Sequence, residues 1–158
     1  MIFVKGYGQM CNNILQYAHA YAFGREYGVK VISMRFAYKY RFFAVCREKL
    51  HTPLVYLFAK FIIKARLIRC FWLENPEAVT PEVLEALKTK RLIALDGWHF
   101  RFPHLFMKYR SEILALFSFK ENVISERRKL LSSLPEYDIR CLLYTSPSPR
   151  DPKTSRMP

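Results

Sequence analysis

The first 33 residues constrain the fold more than any other segment, because they alternate between two kinds of local pattern. Residues 2–5 form a short, mostly apolar segment that predicts a buried strand, and Gly6-Tyr7-Gly8 predicts a turn after it. Residues 14–27 then predict a helix, and residues 29–33 predict a second strand. A strand, a helix and a strand in this order form a βαβ unit with a parallel sheet. The opening therefore predicts an α/β fold.

The ends of that first helix carry their own signals. Either Asn12 or Asn13 can cap its start, because a short amide side chain accepts hydrogen bonds from the free backbone N–H groups there. Gly28 marks its end, since glycine adopts the left-handed conformation that commonly closes a helix. The helix is thus predicted to lie between two well-defined turns.

Strand and helix signals continue to alternate further along. Thr80-Pro81-Glu82 predicts a helix start, with a capping hydroxyl and proline at the first helical position, and Leu84 and Leu87 form the apolar side of that helix. Residues 91–95 predict a buried strand that ends at Asp96-Gly97. Two further helices are predicted, over residues 105–117 and 123–134.

Residues 54–73 are strongly apolar and nearly long enough to span a membrane. Four cations interrupt them: Lys60, Lys64, Arg66 and Arg69. Each cation at the centre of a bilayer costs about 2.5 to 3.5 kcal/mol, which argues against a spanning helix. Two alternatives remain, namely an ordinary helix with extended lysine and arginine side chains, or a helix that lies on a membrane surface or binds a partner.

The net charge of +13 is concentrated rather than spread. Residues 35–69 hold nine lysines or arginines and one acid, Glu48. Such a patch suits nucleic acid, an anionic membrane surface or phosphorylated substrates. No RNA- or DNA-binding signature accompanies it, so no nucleic-acid partner is expected.

The cysteines and the two ends of the chain restrict the class of protein further. Cys11, Cys46, Cys70 and Cys141 form no Cys-x-x-Cys pair and no metal-ligand spacing with histidine, so neither a metal site nor a redox motif is expected and a reducing compartment is favoured. Met1 runs directly into the first strand with no secretion signal, which predicts a cytoplasmic protein. Residues 141–158 are rich in proline, serine and arginine and predict a disordered tail.

The glycine turn before the first helix is the strongest chemical signal. Free backbone N–H groups and the helix dipole both favour an anion or a sugar hydroxyl at such a turn. The turn is a poor dinucleotide fingerprint, because its third glycine would fall at Cys11 and no acid follows the second strand. Some other ligand with phosphate or hydroxyl groups is expected there.

The run from Gly6 to Ala18 resembles the first signature of alpha-1,2-fucosyltransferases, commonly written Gly-x-Gly-Asn-Gln-Met-Phe-Gln-Tyr-Ala. Asn12, Gln16, Tyr17 and Ala18 match it outright, whereas Asn13, Ile14 and Leu15 replace Gln, Met and Phe. Gln9 and Cys11 stand where the signature has glycine, as in a divergent branch. Residues 36–43 and 95–101 are similar to two later stretches of the family, so that the resemblance covers about residues 2–120.

This resemblance implies a glycosyltransferase that moves fucose from GDP-fucose to a glycan hydroxyl, with inversion and without a metal ion. It implies an α/β fold in which residues 1–140 are the Rossmann-like, acceptor-side half of a two-domain, GT-B-like enzyme. No other cofactor is implied, and the partners are a sugar nucleotide and a glycan acceptor. Peripheral contact with the bacterial inner membrane is compatible with it. The implied substrate-binding residues, with no catalytic residue assigned, are Gly8, Gln9, Asn12, Asn13, Trp98 and Arg101.

Each candidate also has an ordinary structural interpretation. Asn12 or Asn13 can be a plain helix cap, Gln16 and Tyr17 can be packing residues, and Trp98 with Arg101 can be a buried stacked pair instead of part of an acceptor cleft. The histidines are interpreted as structural or surface residues. No Asp-x-Asp occurs, so a metal-bridged donor site is not indicated.

The family's His-x-Arg-Arg-x-Asp loop, implicated in holding the donor phosphates, is absent where the chain reads Tyr137-Asp138-Ile139-Arg140. Residues 141–158 resemble translated sequencing-adapter sequence, which predicts a truncated chain without transferase activity; a genuine low-complexity tail is the alternative. A second hypothesis for the whole chain is a basic membrane-surface or nucleic-acid-binding module built on residues 35–70.

Overall fold

The computed structural model describes residues 1–47, 49–89 and 91–133 of the chain. Met1–Lys120 forms one compact unit, and a second unit begins at Glu121. The predicted boundary near residue 140 and the predicted tail lie outside the described residues. The described elements, in chain order, are β1 (Ile2–Val4), α1 (Met10–Tyr27), β2 (Val31–Ser33), α2 (Met34–Tyr38), α3 (Pro53–Lys64), β3 (Arg69–Leu73), α4 (Pro81–Lys88), β4 (Ile93–Gly97), α5 (Pro103–Lys108), α6 (Arg110–Leu116) and α7 (Glu121–Ser133), with short 3-10 turns at Ala44–Arg47 and Pro76–Ala78.

The predicted α/β fold is confirmed at the level of its sheet. Four strands lie in the order β2-β1-β4-β3, and every neighbouring pair is parallel. Ile2 pairs with Val31 on one side and with Ile93 on the other, so β1 lies inside the sheet and β2 and β3 form its edges. This arrangement is compatible with a Rossmann-like fold.

Helices cover both faces of this sheet, as parallel sheets require. Ile2 and Val4 point to one face, where they pack with Ala20 and Phe23 of α1 and with Leu87 of α4. Phe3, between them in β1, points to the opposite face. There it packs in a separate cluster that contains the inner side of α3. The unit Met1–Lys120 thus has three layers, with α1 and α4 on one side of the sheet and α3 on the other.

The structure corrects the predicted start of the first helix. α1 begins at Met10, its N-cap residue is Gln9, and no side chain caps it. Asn12 and Asn13 therefore lie inside the first turn of the helix, and the prediction that either caps it is wrong. Its end is as predicted, because Gly28 closes α1 with a left-handed φ of 66° and donates to the carbonyl of Gly24.

The apolar run at residues 54–73 divides into two elements. α3 ends at Lys64, Arg66 turns the chain with a φ of 56°, and β3 begins at Arg69. The interpretation of this run as one helix is therefore wrong. Among the described residues, no helix combines the length and the apolar character needed to cross a bilayer.

The later elements follow the prediction with shifted bounds. Thr80 caps α4 by accepting from the N–H of Val83, and Pro81 is its first residue, as predicted. The fourth strand includes Asp96 and Gly97, which were expected to lie beyond it. The predicted helix over residues 105–117 is two helices, α5 and α6, that meet at Tyr109.

Candidate functional site

The chain leaves β1 and β2 toward opposite faces of the sheet. β1 leads into α1 on the first face, and its neighbour β2 leads through α2 into α3 on the second. Where two neighbouring parallel strands send their connections to opposite sides, a crevice opens at their carboxyl ends, and ligands of open α/β sheets bind in such crevices. This point lies beside the glycine turn at Gly6–Gly8.

Side chains of α1 hold that turn from beneath. Asn13 is buried, and its Nδ2 donates to the carbonyl oxygens of Gly8 at 3.2 Å and of Gln9 at 2.6 Å. Gln16 is buried as well, and its Oε1 accepts from the backbone N–H of Tyr7 at 3.0 Å. The side-chain amides of Asn13 and Gln16 therefore supply hydrogen-bond partners for backbone groups of the turn that have none within the backbone.

Gly6 lies between a side chain of α1 and a side chain of α2. Its φ is +78°, and a Cβ there would collide with Oδ1 of Asn13 and would lie 2.5 Å from Cγ of Arg35. Glycine is therefore needed for both the conformation and the space. Its absence of a side chain lets Arg35 lie against the turn at the mouth of the crevice.

Two adjoining clefts occupy the carboxyl edge of the sheet. The first, at the crevice, has a volume of about 350 Å³, and the second, beside β3 and β4, has a volume of about 250 Å³. They share Tyr7, Trp72 and Asp96, so they form one continuous surface. We call this surface the edge cleft; its other principal lining residues are Lys5, Arg35, Tyr38, Tyr56, Lys60 and Trp98.

Charge in the edge cleft is mixed but mostly positive. Lys5 forms an ion pair with Asp96, whose side chain is only 9% exposed and also accepts from the N–H of Gly97 at 2.9 Å. Arg35 donates to the hydroxyl of Tyr38 at 2.9 Å, and Lys60 adds a third cation. Glu74 also lines the cleft, which therefore offers two carboxylate acceptors and three cationic donors, a set suited to hydroxyl and phosphate groups.

Aromatic rings form much of the remaining wall. Tyr7 and Trp72 are each 58% exposed, and Nζ of Lys5 lies 5.6 Å from the ring centroid of Trp72. The rings of Tyr38 and Tyr56 lie 4.4 Å apart on the α3 side. Exposed rings beside polar groups suit a ligand with one apolar face and several hydroxyls, which is the character of a sugar ring.

Arg101 lies against Trp98, a residue that lines the second of the two clefts. Its guanidinium lies 4.1 Å from the ring centroid of Trp98, and both terminal nitrogens are buried without a hydrogen-bond partner among the described residues. Burial lowers the pKa of Arg101 from its ordinary value. The stacked arrangement predicted as an alternative is present, and Arg101 itself does not line the described clefts.

Comparison with family models, with curated proteins and with solved structures finds no match to this chain. The fucosyltransferase resemblance therefore rests on the sequence motifs alone, namely the signature-like run and the similar stretches at residues 36–43 and 95–101. The charged and aromatic lining of the edge cleft indicates the class of ligand independently of that resemblance.

The structure distributes the six predicted site residues over three environments. Trp98 lines the edge cleft. Gly8 and Gln9 are exposed on the turn, and Asn12 is half-buried beside them. Asn13 is buried beneath the turn, and Arg101 is stacked beneath Trp98. Their role as substrate contacts stays a prediction. Asn13 hydrogen-bonds backbone carbonyls of the turn itself.

Most of the edge cleft was missed by the sequence analysis, although a signal existed. Lys5, Arg35 and Asp96 lie at or just beyond the ends of strands β1, β2 and β4, and parallel strands bring such positions to one edge. Trp72 could not be placed, because β3 was concealed in a run interpreted as a helix. Tyr56 and Lys60 needed the packing of α3 against the sheet.

A cavity larger than either part of the edge cleft lies at the opposite edge of the sheet. It measures about 580 Å³ and is bordered by Tyr17, Tyr21, Lys30 and Lys49. None of the predicted site residues lines it. Within the described ranges no group of three or more His, Cys, Asp or Glu could hold a metal ion.

Proposed function

We propose that the edge cleft binds the sugar substrate of a glycosyltransferase. The observation that carries this proposal is the aromatic and polar wall of the cleft, which opens at the crevice directly beside the glycine turn of the signature-like segment. Rings of the Trp72 and Tyr7 type stack on the apolar face of a sugar, and Asp96 with Lys5 is placed to exchange hydrogen bonds with its hydroxyls.

The finer proposal follows the resemblance: this unit is the acceptor-side half of a two-domain, GT-B-like fucosyltransferase that uses GDP-fucose. In such a reaction a sugar hydroxyl attacks the anomeric carbon, and positive groups stabilise the departing diphosphate. Lys5, Arg35 and Lys60 are the cations of the edge cleft that could face it. Arginine is the stronger candidate, because its planar fork binds phosphate oxygens in pairs.

The direct test is binding by the isolated chain. Free mono- and oligosaccharides and GDP-fucose are titrated separately while tryptophan fluorescence and ¹H–¹⁵N spectra are recorded. A glycan acceptor is expected to shift signals of Trp72 and Trp98, and Trp72→Ala is expected to weaken its binding about tenfold, because stacking on that ring is lost. Leu114→Ala is the matched control, since Leu114 is similarly exposed (54%) but lies on α6.

The two levels of the proposal can fail separately. If no saccharide shifts any signal of the edge cleft, the proposed sugar site is wrong. Because the family's phosphate-holding loop is absent from this chain, GDP-fucose is expected to bind weakly at most. If saccharides bind and GDP-fucose also binds tightly, with no loss of affinity in Arg35→Gln, the sugar site stands and the acceptor-side fucosyltransferase assignment is wrong.

A further inference from the structure

Helix α3 carries a second apolar face that its own fold does not use. Leu54, Leu57, Phe58 and Phe61 are 78%, 57%, 53% and 66% exposed. At 100° per residue these four side chains fall within about 100° of arc, so they form one continuous stripe along the helix. We call this stripe the outer face of α3.

The opposite side of the same helix is already buried. Ala59 and Ile62 pack against Phe3 and Ile32 of the sheet, with Val55, Tyr56 and Ile63 at the margins. A helix that is apolar on nearly all sides is normally surrounded by apolar material. Only half of α3 is so surrounded in the described unit, and the outer face is left in contact with water.

The outer face is also a large apolar patch for the surface of a single protein chain. From the exposed fractions of its four side chains, it presents on the order of 400 Å² of apolar surface. Contiguous patches of this size on a monomer are frequently interaction sites. Some second surface is therefore expected to cover it.

The charges around the outer face indicate what that surface is. Lys60 and Lys64 lie together along one flank of the stripe, and Arg66 and Arg69 follow the end of the helix; all four are exposed. Residues 49–73 contain no acid. The occupant must therefore combine an apolar interior with a negative surface. Anionic lipid has both, and a second copy of this chain would oppose cations with cations.

We propose that the outer face of α3 is a docking site for an anionic lipid bilayer. The helix lies parallel to the membrane plane, with its leucines and phenylalanines among the acyl chains near the headgroups and its lysines extended to lipid phosphates. A helix of 12 residues is about 18 Å long, too short to cross the hydrocarbon core but long enough to lie on it. This proposal does not rest on the sugar site, although the two share Lys60, which also lines the edge cleft, whereas Lys64 does not.

Vesicle sedimentation with the full chain tests the proposal. Phosphatidylcholine vesicles containing 30% phosphatidylglycerol are compared with pure phosphatidylcholine vesicles, at low and at half-molar salt. The chain is expected to bind the anionic vesicles at least tenfold more tightly, and high salt is expected to remove most of that difference.

Two double variants separate the apolar and the charged parts. Phe58→Ser with Phe61→Ser is expected to weaken binding to anionic vesicles at least tenfold, and Lys60→Gln with Lys64→Gln about fivefold per lysine. The matched controls are Met107→Ser with Leu114→Ser, which are 63% and 54% exposed on α5 and α6, and Lys30→Gln with Lys129→Gln; both are expected to bind like the parent chain.

The outcomes decide the matter in either direction. Absence of binding to anionic vesicles, equal binding to zwitterionic vesicles, or an equal loss in the control variants overturns the proposal. A concentration-dependent dimer that disappears in Phe58→Ser with Phe61→Ser assigns the outer face to a second copy and also overturns it. If that variant loses its native circular dichroism spectrum, Leu54→Gln provides the same comparison at the most exposed position of the stripe.

Discussion

Gly97 fixes the distance between the two strands that carry the tryptophans of the edge cleft. It pairs with Leu73 across β3 and β4, and its φ is +93°. A Cβ at this position would lie 2.5 Å from both the carbonyl carbon and oxygen of Leu73, which are backbone atoms and cannot turn aside. Trp72 lies in β3 and Trp98 directly follows β4, so the two rings flank this contact.

Gly97→Ala is therefore expected to destabilise the fold by about 2 to 4 kcal/mol, from backbone strain and steric displacement of β3 together. Gly28→Ala is the matched control: Gly28 also has a positive φ, +66°, but nothing lies within 4 Å of a Cβ there. That variant is expected to lose about 1 kcal/mol. Denaturant unfolding measures both, and equal losses would contradict the proposed contact.

His19 is expected to make stability depend on pH below about 6.5. Its burial, with a further contribution from the charge of Arg101, lowers the pKa of His19, and its Nδ1 accepts from the N–H of Phe102 at 3.1 Å. The unfolded chain binds a proton at this residue below about pH 6.5, whereas the folded chain resists doing so. Stability is therefore full above that pH and decreases as pH falls.

The loss attributable to His19 is at most about 1.4 kcal/mol per pH unit. His19→Asn keeps an acceptor near the same position but does not titrate, so its stability is expected to be nearly flat over the same range of pH. Unfolding by urea at pH 5, 6 and 7 compares the two chains. The same slope in the variant would assign the dependence to other groups.

At the scale of elements, α4 is a helix whose start follows from a local capping signal. Thr80 accepts from the N–H of Val83 at 3.3 Å, and Thr89, at the other end of the helix, donates to the carbonyl of Ala86 at 2.6 Å. Thr80→Ala leaves a backbone donor without its partner and is expected to cost about 1 kcal/mol. Thr89→Ala is expected to cost less than about 0.5 kcal/mol, because the carbonyl of Ala86 still accepts from a backbone N–H. Thermal unfolding of the two variants ranks them.

Elements with complete local signals were predicted well, and those without them were not. β1, the end of α1 at Gly28, and α4 each follow from a turn or a cap in the sequence. The start of α1 was misplaced because two asparagines resembled caps, while Asn13 in fact binds the turn from inside the helix. Local chemistry alone does not distinguish these two uses of an amide.

β3 was missed for a different reason. The run at residues 54–73 is apolar in both its helical and its extended parts, and a short apolar run has no period that separates a buried strand from a buried helix. Because β3 is an edge strand with exposed Trp72, its identity depends on pairing with β4, a contact distant in sequence. The same omission removed Trp72 from the predicted site.

At the scale of the molecule, all four apolar clusters of the described structure lie within Met1–Lys120. The last residues of that unit close it: Phe119 forms a bridge with Phe43, and the N–H of Lys120 donates to the carbonyl of Phe42 at 2.9 Å. Phe117 packs nearby, with its ring 5.4 Å from that of Phe36 and 5.6 Å from that of Phe43. The unit is thus bounded by contacts of its own.

A chain ending at Lys120 is therefore expected to fold alone, with a cooperative transition within about 3 °C of the parent midpoint. A chain ending at Leu116 loses the partly buried Phe117 and the closing bridge. It is expected to be less stable by at least about 2 kcal/mol, a part of the cost of removing a fully buried phenylalanine. Thermal unfolding followed by circular dichroism compares the three chains. A broad, non-cooperative transition in the Lys120 chain would show that the core depends on residues beyond it, because only the loss of such residues distinguishes that chain from the parent.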